Sequence, residues 1–528
     1  MKKIVFVFIL FASLTSNAQD NYWQQYLHYS IEAALDDKEN SITGSETISY
    51  INNSPDTLNF IWFHLYPNAY KDESTALFQQ VKNDPLRKEN TRKFTGGFIT
   101  NLAFTVNGEA AKTEAHPNPQ YIDIIKVLLN KPLSPGDSVV VATPFKVQLP
   151  YYFSRSGYAD GEFMVCQWYP KPAVYDPDGW HEMPYLDRGE FYSEYASYKV
   201  NITVPAAYVV GATGVLLTAA EENLYKKIGS YNAANRNSKS PMLYVSPSSA
   251  PDKTVSYYAD SVPDFAWFAE KGLVIEYDTI RLPSGNIADA FTYYHQLRNT
   301  PWTNSIDFVK DAVHHYTHWI GEYAYPVVQA IEGPANNLSG GMEYPTITLI
   351  TSPNAEEETL DAVIAHEVGH NWFMSMLGTN EREHAWMDEG LNTYYEFRYE
   401  AEKYRGNVMY GNKLNEELKK LNLPDFQATL YNSFGKIPIQ PAVETASADF
   451  KSNDDYSMAE YIKTAEWVYL LEKSIGMENV DKAFQNYFTL WKFKHPQPLD
   501  MRASFEQAIH GGLGSYFDLL HKKDQILK

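Results

Sequence analysis

Two histidines, His366 and His370, stand four residues apart in the segment HEVGHNWFMSMLGTNEREHAWMDEG. On an α-helix this spacing puts both imidazole rings on one face, about one turn apart, so that both can bind the same metal ion. Glu367 lies about 100° round the helix from His366, where its carboxylate can reach a water molecule bound to that ion. The pattern therefore predicts a metal centre that activates water.

A third ligand is available in the second part of the same segment. After a stop at Gly378, the sequence AWMDEGLNTYYEFRYEAE predicts a second helix, which can return past the first and carry Glu389 to the ion. Two histidines and one carboxylate leave the fourth tetrahedral position for water, as in catalytic rather than structural zinc sites. We therefore predict one Zn²⁺ ion bound by His366, His370 and Glu389. A chance His-Glu-x-x-His in a packed helix is the alternative that the short motif alone leaves open.

The spacing of these residues resembles that of the gluzincin peptidases, and in particular the M1 aminopeptidase family, whose signature is His-Glu-x-x-His, eighteen residues and then Glu. Residues 371–388 supply the eighteen. WMDEGLNTYYE is also similar to the family's Trp-x-Asn-Glu-Gly-x-x-x-Tyr segment, with Asp388 where Asn is usual. The resemblance implies a zinc aminopeptidase in which Glu367 is the general base.

A segment upstream of the histidines adds to the resemblance. GGMEYP, just ahead of the strand-like TITLI, is similar to the family's Gly-x-Met-Glu-Asn exopeptidase motif. This implies that Gly340, Gly341 and Met342 contact the substrate and that Glu343 binds its free α-amine. An α-amino group is largely protonated at pH 7, so a carboxylate in a closed cleft pairs with it. Tyr344 departs from the usual Asn.

Two more segments match at the family's spacing. DYSMAEYIKTAEWVYLLEKSIG is similar to the stretch in which a tyrosine precedes x-Lys-Gly, although Thr464 replaces the Gly. The resemblance implies that Tyr461 stabilises the oxyanion, with Tyr456 as a wall of the pocket. MVCQWYPKPAVYD lies where the family has a glutamine or glutamate that assists amine binding, which makes Gln167 the candidate. A buried glutamine in a turn is the alternative for Gln167.

The elements that must position these residues fall into two regions of a chain that is too long for one hydrophobic core. Up to about Tyr258, short alternating segments such as SITGSETISYINNS and YKVNITVP are typical of strands separated by turns. From about Ile287 the apolar spacing becomes helical, as in SIDFVKDAVHHYTHWIGEY. We therefore predict a multi-domain α+β fold with an N-terminal all-β domain over residues 19–282 and a mostly helical catalytic domain over residues 283–528. The resemblance implies that the first is saddle-like and the second thermolysin-like.

The two ends of the chain carry further predictions. The sequence MKKIVFVFILFASLTSNAQ has two lysines, an apolar run to about Leu14 and small residues at Ser16 and Ala18, which predicts a cleavable export signal over residues 1–18. We expect a periplasmic or secreted protein. A single-pass anchor is the alternative, but roughly eleven apolar residues fall short of the ~20 that span a bilayer. At the other end, larger family members continue beyond the position of Lys528, so the resemblance implies a short form that lacks their C-terminal helical domain.

Composition excludes some partners. The formal net charge is -21 and no basic block is present, which argues against nucleic acid. No second apolar stretch predicts a membrane span, so no transmembrane anchor is expected after signal cleavage. Cys166 is the sole cysteine, which excludes an internal disulfide and favours a buried thiol over a nucleophile. The expected partners are peptides with a free N-terminus.

Other histidines and other functions were weighed against this interpretation. His314 and His318 are also four residues apart, but no glutamate follows His314 at the position of a base, which favours a structural role. His384 is either a structural residue of the loop or a contact to the site. Two alternative functions stay open: a zinc endopeptidase of the same fold, and a non-catalytic peptide-binding module. The sequence does not determine the residue preference at the first position, the substrate length or the oligomeric state.

Overall fold

The structure is a computed structural model, and it describes residues 22–82, 96–245, 250–295, 300–335, 340–352, 355–408, 416–434, 441–523 and 526. The predicted export signal over residues 1–18 lies outside the described residues. Among the described residues, no helix combines the length and the apolar character that crossing a membrane requires.

The first half of the described chain is built mainly from strands. These are β1 (Tyr26–Asp36), β2 (Ser41–Ile51), β3 (Leu58–His64), β4 (Phe98–Thr100), β5 (Thr105–Val106), β6 (Glu109–Ala110), β7 (Thr113–Ala115), β8 (Ile124–Leu133), β9 (Ser138–Gln148), β10 (Gly157–Ala159), β11 (Glu162–Val165), β12 (Lys171–Pro172), β13 (Tyr175–Asp176), β14 (Gly179–Trp180), β15 (Ala196–Pro205), β16 (Tyr208–Ala212), β17 (Val215–Leu216), β18 (Asp252–Val262) and β19 (Trp267–Lys271).

The largest sheet of this half has the strand order β17-β18-β15-β1-β2-β9-β5-β6, with β4 also paired to β9. Burial alternates residue by residue along β1, which is the pattern of a sheet with one face on the core. Its inward residue Ile31 lies opposite Val200 of β15, and both are fully buried. Two four-stranded sheets, β10-β11-β19-β16 and β12-β3-β8-β7, complete most of this region.

A five-stranded sheet opens the second half. Its strands are β20 (Val274–Arg281), β21 (Ile287–Tyr294), β22 (Val327–Glu332), β23 (Gly341–Met342) and β24 (Ile347–Ile350), in the order β20-β21-β22-β24-β23. Because β20 and β21 pair as an antiparallel hairpin, the predicted domain boundary at Leu282 falls inside that hairpin. The last strand of the first-half sheets, β19, ends at Lys271, and the five-stranded sheet begins with β20 at Val274.

Helices follow this sheet and fill most of the remaining chain. The α-helices are α1 (Ala76–Val81), α2 (Ala219–Asn235), α3 (Ser305–Trp319), α4 (Glu357–His370), α5 (Glu381–His384), α6 (Glu389–Lys403), α7 (Leu423–Phe434), α8 (Asn453–Ser457), α9 (Thr464–Ile475), α10 (Met477–Trp491), α11 (Pro498–Ile509) and α12 (Gly514–Phe517). Two π-helical segments, Asn371–Met376 and Met458–Lys463, extend α4 and join α8 to α9. Short 3-10 turns occupy Tyr66–Tyr70, Pro301–Asn304, Ala385–Met387 and Ser447–Asp449.

The predicted fold class, a β-rich region followed by a mostly helical catalytic region, is confirmed. Within the β-rich half, helix α2 was not foreseen. It packs on β20 of the second sheet, where Gly229 lies so close to Tyr277 that an added Cβ would come within 2.5 Å of that side chain. Asn232 of α2 is fully buried and donates to the backbone carbonyl of Ile275 at 2.9 Å. Helix α2 therefore covers the five-stranded sheet of the second half, although its own sequence lies within the β-rich half.

Candidate active site

The two histidines lie at the end of α4, whose interior positions are fully buried. Leu360, Ile364 and Val368 have no exposed surface, and α3 packs along the helix. His370 is the last residue of α4 and is followed directly by the π-helical segment. A helix held on several sides by core packing fixes the direction of both imidazole rings.

The three predicted metal ligands converge on one point. Nε2 of His366 and Nε2 of His370 are 3.1 Å apart. Oε2 of Glu389, the first residue of α6, lies 3.5 Å from the first of these nitrogens and 3.4 Å from the second. The three ligand atoms therefore form a nearly equilateral triangle.

A second set of carboxylates orients the rings. Nδ1 of His366 is 2.9 Å from Oε2 of Glu396, and Nδ1 of His370 is 2.7 Å from Oδ1 of Asp388. A carboxylate at Nδ1 keeps the proton on that nitrogen and leaves the Nε2 lone pair for a metal. Asp388, which departs from the family's Asn, thus supplies a charged acceptor behind His370.

These residues fit a zinc ion. Ligands at about 2.0–2.2 Å around a tetrahedral zinc are about 3.3–3.6 Å from one another, close to the three separations in the triad. Oε2 of Glu389 is buried and has no hydrogen bond, so this oxygen is available to a cation. Burial alone would raise the pKa of Glu389, but the adjacent His370 and His366 lower it, so the carboxylate stays ionised. His366, His370 and Glu389 would hold the ion.

Glu367 of α4 lines the same cleft as His366 and His370. It is buried, and its Oε2 has no hydrogen bond. Gly341 lies against it so closely that an added Cβ would come within 2.6 Å of the Glu367 carboxyl carbon. Burial raises the pKa of Glu367 to about 7, against the lowering effect of the two histidines. A carboxyl group with this pKa can accept and release a proton near neutral pH.

Tyr461 and Tyr456 line the cleft opposite α4. The Tyr461 ring is nearly parallel to the His366 ring, with centroids 6.2 Å apart. Its π-helical segment approaches α6 closely because Gly390 has no side chain: a Cβ there would overlap the carbonyl oxygen of Glu460. Burial raises the pKa of Tyr461 well above its usual value, so the hydroxyl remains a hydrogen-bond donor.

The GGMEYP segment forms another wall of the cleft. Gly340, Gly341, Met342 and Glu343 all line it together with the metal triad. Glu343 is buried, and its Oε1 has no hydrogen bond. Burial raises its pKa well above the usual range against the lowering effect of His370, and a cation beside the carboxylate would favour its charged form. The structure thus brings together the predicted triad, Glu367, the two tyrosines and this motif.

Gln167 is not brought to the metal cleft. Its backbone has a φ of +46°, in the left-handed region. Its Nε2 donates to Oδ2 of Asp264 at 3.3 Å, and its Oε1 accepts from the Tyr344 hydroxyl at 3.4 Å. It lines a smaller adjoining cavity behind Glu343. The alternative interpretation, a buried glutamine in a turn, describes this geometry.

Glu190 lies in the cleft and was missed by the sequence analysis. One carboxylate oxygen each from Glu190, Glu343 and Glu389 lie within 4.8 Å of one another. Glu190 belongs to no motif with a defined spacing. The only sequence signal is the charged stretch DRGE inside the otherwise aromatic segment YLDRGEFY.

The remaining histidines and the cysteine lie away from this cleft. His314 and His318 are exposed on α3, and His384 pairs through Nδ1 with Oε2 of Glu444 at 2.8 Å. Cys166 is a free, buried thiol whose pKa is raised by burial. His295, which the sequence analysis did not single out, lies among three glutamates at the junction of the two sets of sheets.

Comparison with known proteins bears on the helical half. Residues 306–519, which include the metal triad and Tyr461, match the family model described as Peptidase family M1 domain. This region of the chain is therefore similar to the peptidase family M1 domain. Residues 371–388 separate His370, the last residue of α4, from Glu389, the first residue of α6.

Relatives align with only part of the chain. A leukotriene A-4 hydrolase homolog from Botryotinia fuckeliana is 32% identical over 174 residues, which are 31% of this chain and 25% of that protein. Leucine aminopeptidase 2 from Emericella nidulans is 28% identical over 246 residues, 42% of this chain and 36% of that protein. The chain thus spans about a quarter to two fifths of the length of such relatives.

Solved structures match the whole fold at low sequence identity. An M1 zinc metallopeptidase from Deinococcus radiodurans has a TM-score of 0.61 and 14% identity, covering 96% of this chain and 95% of that one. Legionella pneumophila aminopeptidase A in complex with aspartic acid has a TM-score of 0.63 and 14% identity, covering 95% of this chain and 50% of that chain. The fold of the β-rich half together with the helical half therefore matches that of solved structures.

Proposed function

We propose that this chain is a zinc-dependent aminopeptidase that hydrolyses the N-terminal peptide bond of its substrates. The observation that carries the proposal is Glu343: a buried carboxylate without a hydrogen bond at Oε1, in the cleft that also holds the metal triad. A free α-ammonium group is the part of a peptide that such a carboxylate pairs with. The M1 domain match and the leucine aminopeptidase relatives add support.

The chain's own residues account for the steps of hydrolysis. When bound, zinc supplies Lewis acidity, which polarises a carbonyl and makes water a better nucleophile at neutral pH. Glu367 accepts a proton from the attacking water and returns it to the leaving amine. The Tyr461 hydroxyl donates a hydrogen bond to the oxyanion that develops on the scissile carbonyl. Glu343 holds the ammonium group, so that the first peptide bond is the one presented to Glu367.

The test compares a free amine with a blocked one. L-Leucyl-7-amido-4-methylcoumarin and its N-acetyl derivative are incubated with the zinc-loaded protein. We expect release of the fluorophore from the first and at least ~100-fold slower release from the second, because acetylation removes the charge that Glu343 binds. Equal rates would mean that the chain is an endopeptidase of the same fold.

A second comparison addresses a non-catalytic role. Glu367→Gln keeps the shape of the side chain but removes the base, so turnover of the free-amine substrate should fall. If wild type and Glu367→Gln released the fluorophore equally slowly, the chain would be a peptide-binding module without hydrolytic activity.

We also propose that the protein is exported, to the periplasm or outside the cell, and cleaved after Ala18. Support comes from the composition of residues 1–18 alone. Cell fractionation and N-terminal sequencing of the mature chain test this: a first residue of Gln19 is expected, and a cytosolic protein that retains Met1 would contradict it.

A further inference from the structure

The π-helical segment Met458–Lys463 sets the direction of the Tyr461 side chain. A π-helix is rare in proteins and usually lasts for a single turn, so this segment needs tertiary contacts that hold its backbone. Gly390 of α6 supplies one of them, because the carbonyl oxygen of Glu460 occupies the space where a Cβ would lie. The remaining contacts of the segment therefore help to decide where the Tyr461 hydroxyl lies.

Lys463 ends this segment with a fully buried side chain. Its Nζ donates to the carbonyl oxygen of Pro441 at 3.1 Å and to that of Lys522 at 2.9 Å. A buried ammonium group is costly unless hydrogen bonds satisfy its donors, so these two bonds strongly favour one position of the side chain. The acceptors lie 22 residues before and 59 residues after Lys463 in the sequence, so this one group ties three separate parts of the chain together.

The second of these acceptors belongs to a C-terminal segment, residues 516–522, that is itself held in place. Nε1 of the fully buried Trp467 in α9 donates to the carbonyl oxygen of Tyr516 at 2.9 Å. The backbone N–H of Glu444 donates to the carbonyl oxygen of Leu520 at 3.0 Å. The acceptor is therefore a fixed point in the catalytic half.

Thr464 fixes the π-helical segment on the side of the ligand helix α6. This residue stands where the family pattern has glycine. Its Oγ1 donates to the carbonyl oxygen of Ala459 at 3.3 Å, and its side chain lies so close to α6 that a Cβ on Gly390 would come within 2.3 Å of the Cβ of Thr464. Lys463 thus joins the π-helical segment to the C-terminal segment, and Thr464 joins it to the helix that begins with the metal ligand Glu389.

We propose that Lys463 is the positioning residue for Tyr461. Its ammonium group, bound to the carbonyl oxygens of Pro441 and Lys522, holds the π-helical segment so that the Tyr461 hydroxyl faces the developing oxyanion. This rests on the proposed aminopeptidase function and adds a residue that supports catalysis without touching the substrate. The described residues that line the cleft include Tyr461 but not Lys463, so the effect of Lys463 on hydrolysis passes through Tyr461.

Kinetics of Lys463→Met test the effect on catalysis. Methionine keeps an unbranched side chain but removes the ammonium group, so the π-helical segment loses both carbonyl contacts. For L-leucyl-7-amido-4-methylcoumarin we expect kcat to fall about 10- to 100-fold, because a misplacement of about 1 Å can cost about 10²-fold, while KM changes less than about threefold. Asn232→Leu is the matched control, because this equally buried amide donates to the backbone carbonyls of Leu243 and Ile275 outside the cleft. An unchanged kcat in Lys463→Met would overturn the proposal.

A double-substitution cycle distinguishes positioning from a general loss of structure. In Tyr461→Phe protein the hydroxyl is already absent, so adding Lys463→Met should change kcat less than about twofold. Lys463→Gln keeps N–H donors on a shorter side chain, so it should show the same pattern with a smaller fall in kcat, and it carries the test if Lys463→Met does not fold. A fall of equal size with and without the Tyr461 hydroxyl would overturn the positioning role.

A spectroscopic measurement separates this proposal from the proposed function. 3-Fluorotyrosine is placed at position 461 alone, and its ¹⁹F resonance is recorded in the zinc-loaded protein with Lys463→Gln, with Asn232→Leu and without either substitution. We expect Lys463→Gln to move the resonance by more than its linewidth and Asn232→Leu to leave it in place. This result would support the positioning role even if wild type hydrolysed no peptide. A resonance that Lys463→Gln did not move would overturn the role even in an active aminopeptidase.

Discussion

Among the described residues, two clusters that bring histidine and glutamate within 4.8 Å of one another differ in the separation of their atoms: His366, His370 and Glu389 at the triad, and His295 with Glu162 and Glu270. At the triad, Oε2 of Glu389 is 3.4 Å from Nε2 of His370, too far for a good hydrogen bond and right for two ligands of one ion. At the seam between the two sets of sheets, Oε1 of Glu270 is 2.7 Å from Nε2 of His295. At this separation the carboxylate and the imidazole form a direct hydrogen bond.

The remaining contacts sharpen the contrast. In both clusters a carboxylate lies at Nδ1 of the histidine: Glu396 for His366, and Glu332 for His295 at 3.2 Å. At the seam, hydrogen bonds with Glu162, Glu270 and Glu332 raise the pKa of His295 to about 12. A histidine with this pKa carries its own proton and ties strands together. The two clusters share residue types and each has a buried carboxylate oxygen without a hydrogen bond, Oε2 of Glu389 and Oε2 of Glu162, so the separation of the ligand atoms is what distinguishes them.

The largest effect is expected from Glu389→Gln, which replaces the charged ligand by a neutral amide. We expect zinc content to fall from about one ion per chain to below 0.1 after dialysis, and turnover to fall by more than ~10⁴, because the metal supplies a large part of the barrier reduction. Metal analysis and coumarin release measure both. Glu270→Gln is the control at the seam: loss of zinc from this variant would remove the contrast between the two clusters.

Glu367→Gln should separate catalysis from metal binding. Loss of a general base typically costs 10²- to 10⁴-fold, so we expect kcat to fall by about 10³ while zinc content stays near one per chain. Stoichiometry is measured on the sample used for kinetics. A variant that lost its zinc would show that Glu367 is a ligand, and unchanged kcat would exclude it as the base.

Tyr461→Phe removes one hydroxyl and keeps the ring beside His366. Loss of one oxyanion donor costs about 10²- to 10³-fold in kcat, so a fall of that size is expected with KM changed less than about threefold. Tyr231→Phe, at a partly exposed position of α2, is the matched control. A Tyr461→Phe variant with unchanged kcat would show that the Tyr461 hydroxyl does not stabilise the oxyanion.

The smallest expected effect is the pH-dependent contribution of His295 to the free energy of unfolding. Because the folded pKa of His295 is raised from 6.5 to about 12, its stabilising contribution is complete below pH 6.5 and declines as pH rises toward 12. About a third of the side chain is exposed, so after solvent screening we expect His295→Gln to cost about 1 kcal/mol at pH 6 and less at pH 9. Urea unfolding at the two pH values measures this. A cost that grew with pH would contradict the ion cluster.

How much the sequence could predict differs between the triad and the rest of the cleft. His366, His370 and Glu389 were predictable because helical spacing puts the first two on one face and the eighteen intervening residues fit a return to the third. The role of Gln167 stays a prediction: its amide contacts Asp264 and Tyr344, tertiary partners that its own segment of sequence does not reveal. Glu190 could not be found because its place depends on the tertiary ion pair with Arg155 rather than on a periodic pattern.

The fold, like the cleft, was predictable from the sequence only in part. Alternation along β1 and the apolar stripe of α3 were visible in the sequence because each element buries one face. The domain boundary and helix α2 were not, because both depend on which sheet an element joins. β20 looks like the strands before it but pairs with β21, and α2 covers β20.

Anomalous diffraction at the zinc absorption edge tests the central claim most directly. Crystals of the zinc-loaded protein should give one strong peak, about 2.0–2.2 Å from Nε2 of His366, Nε2 of His370 and a carboxylate oxygen of Glu389, and no peak beside His295. A peak at His295, or an empty triad in an active sample, would contradict the account.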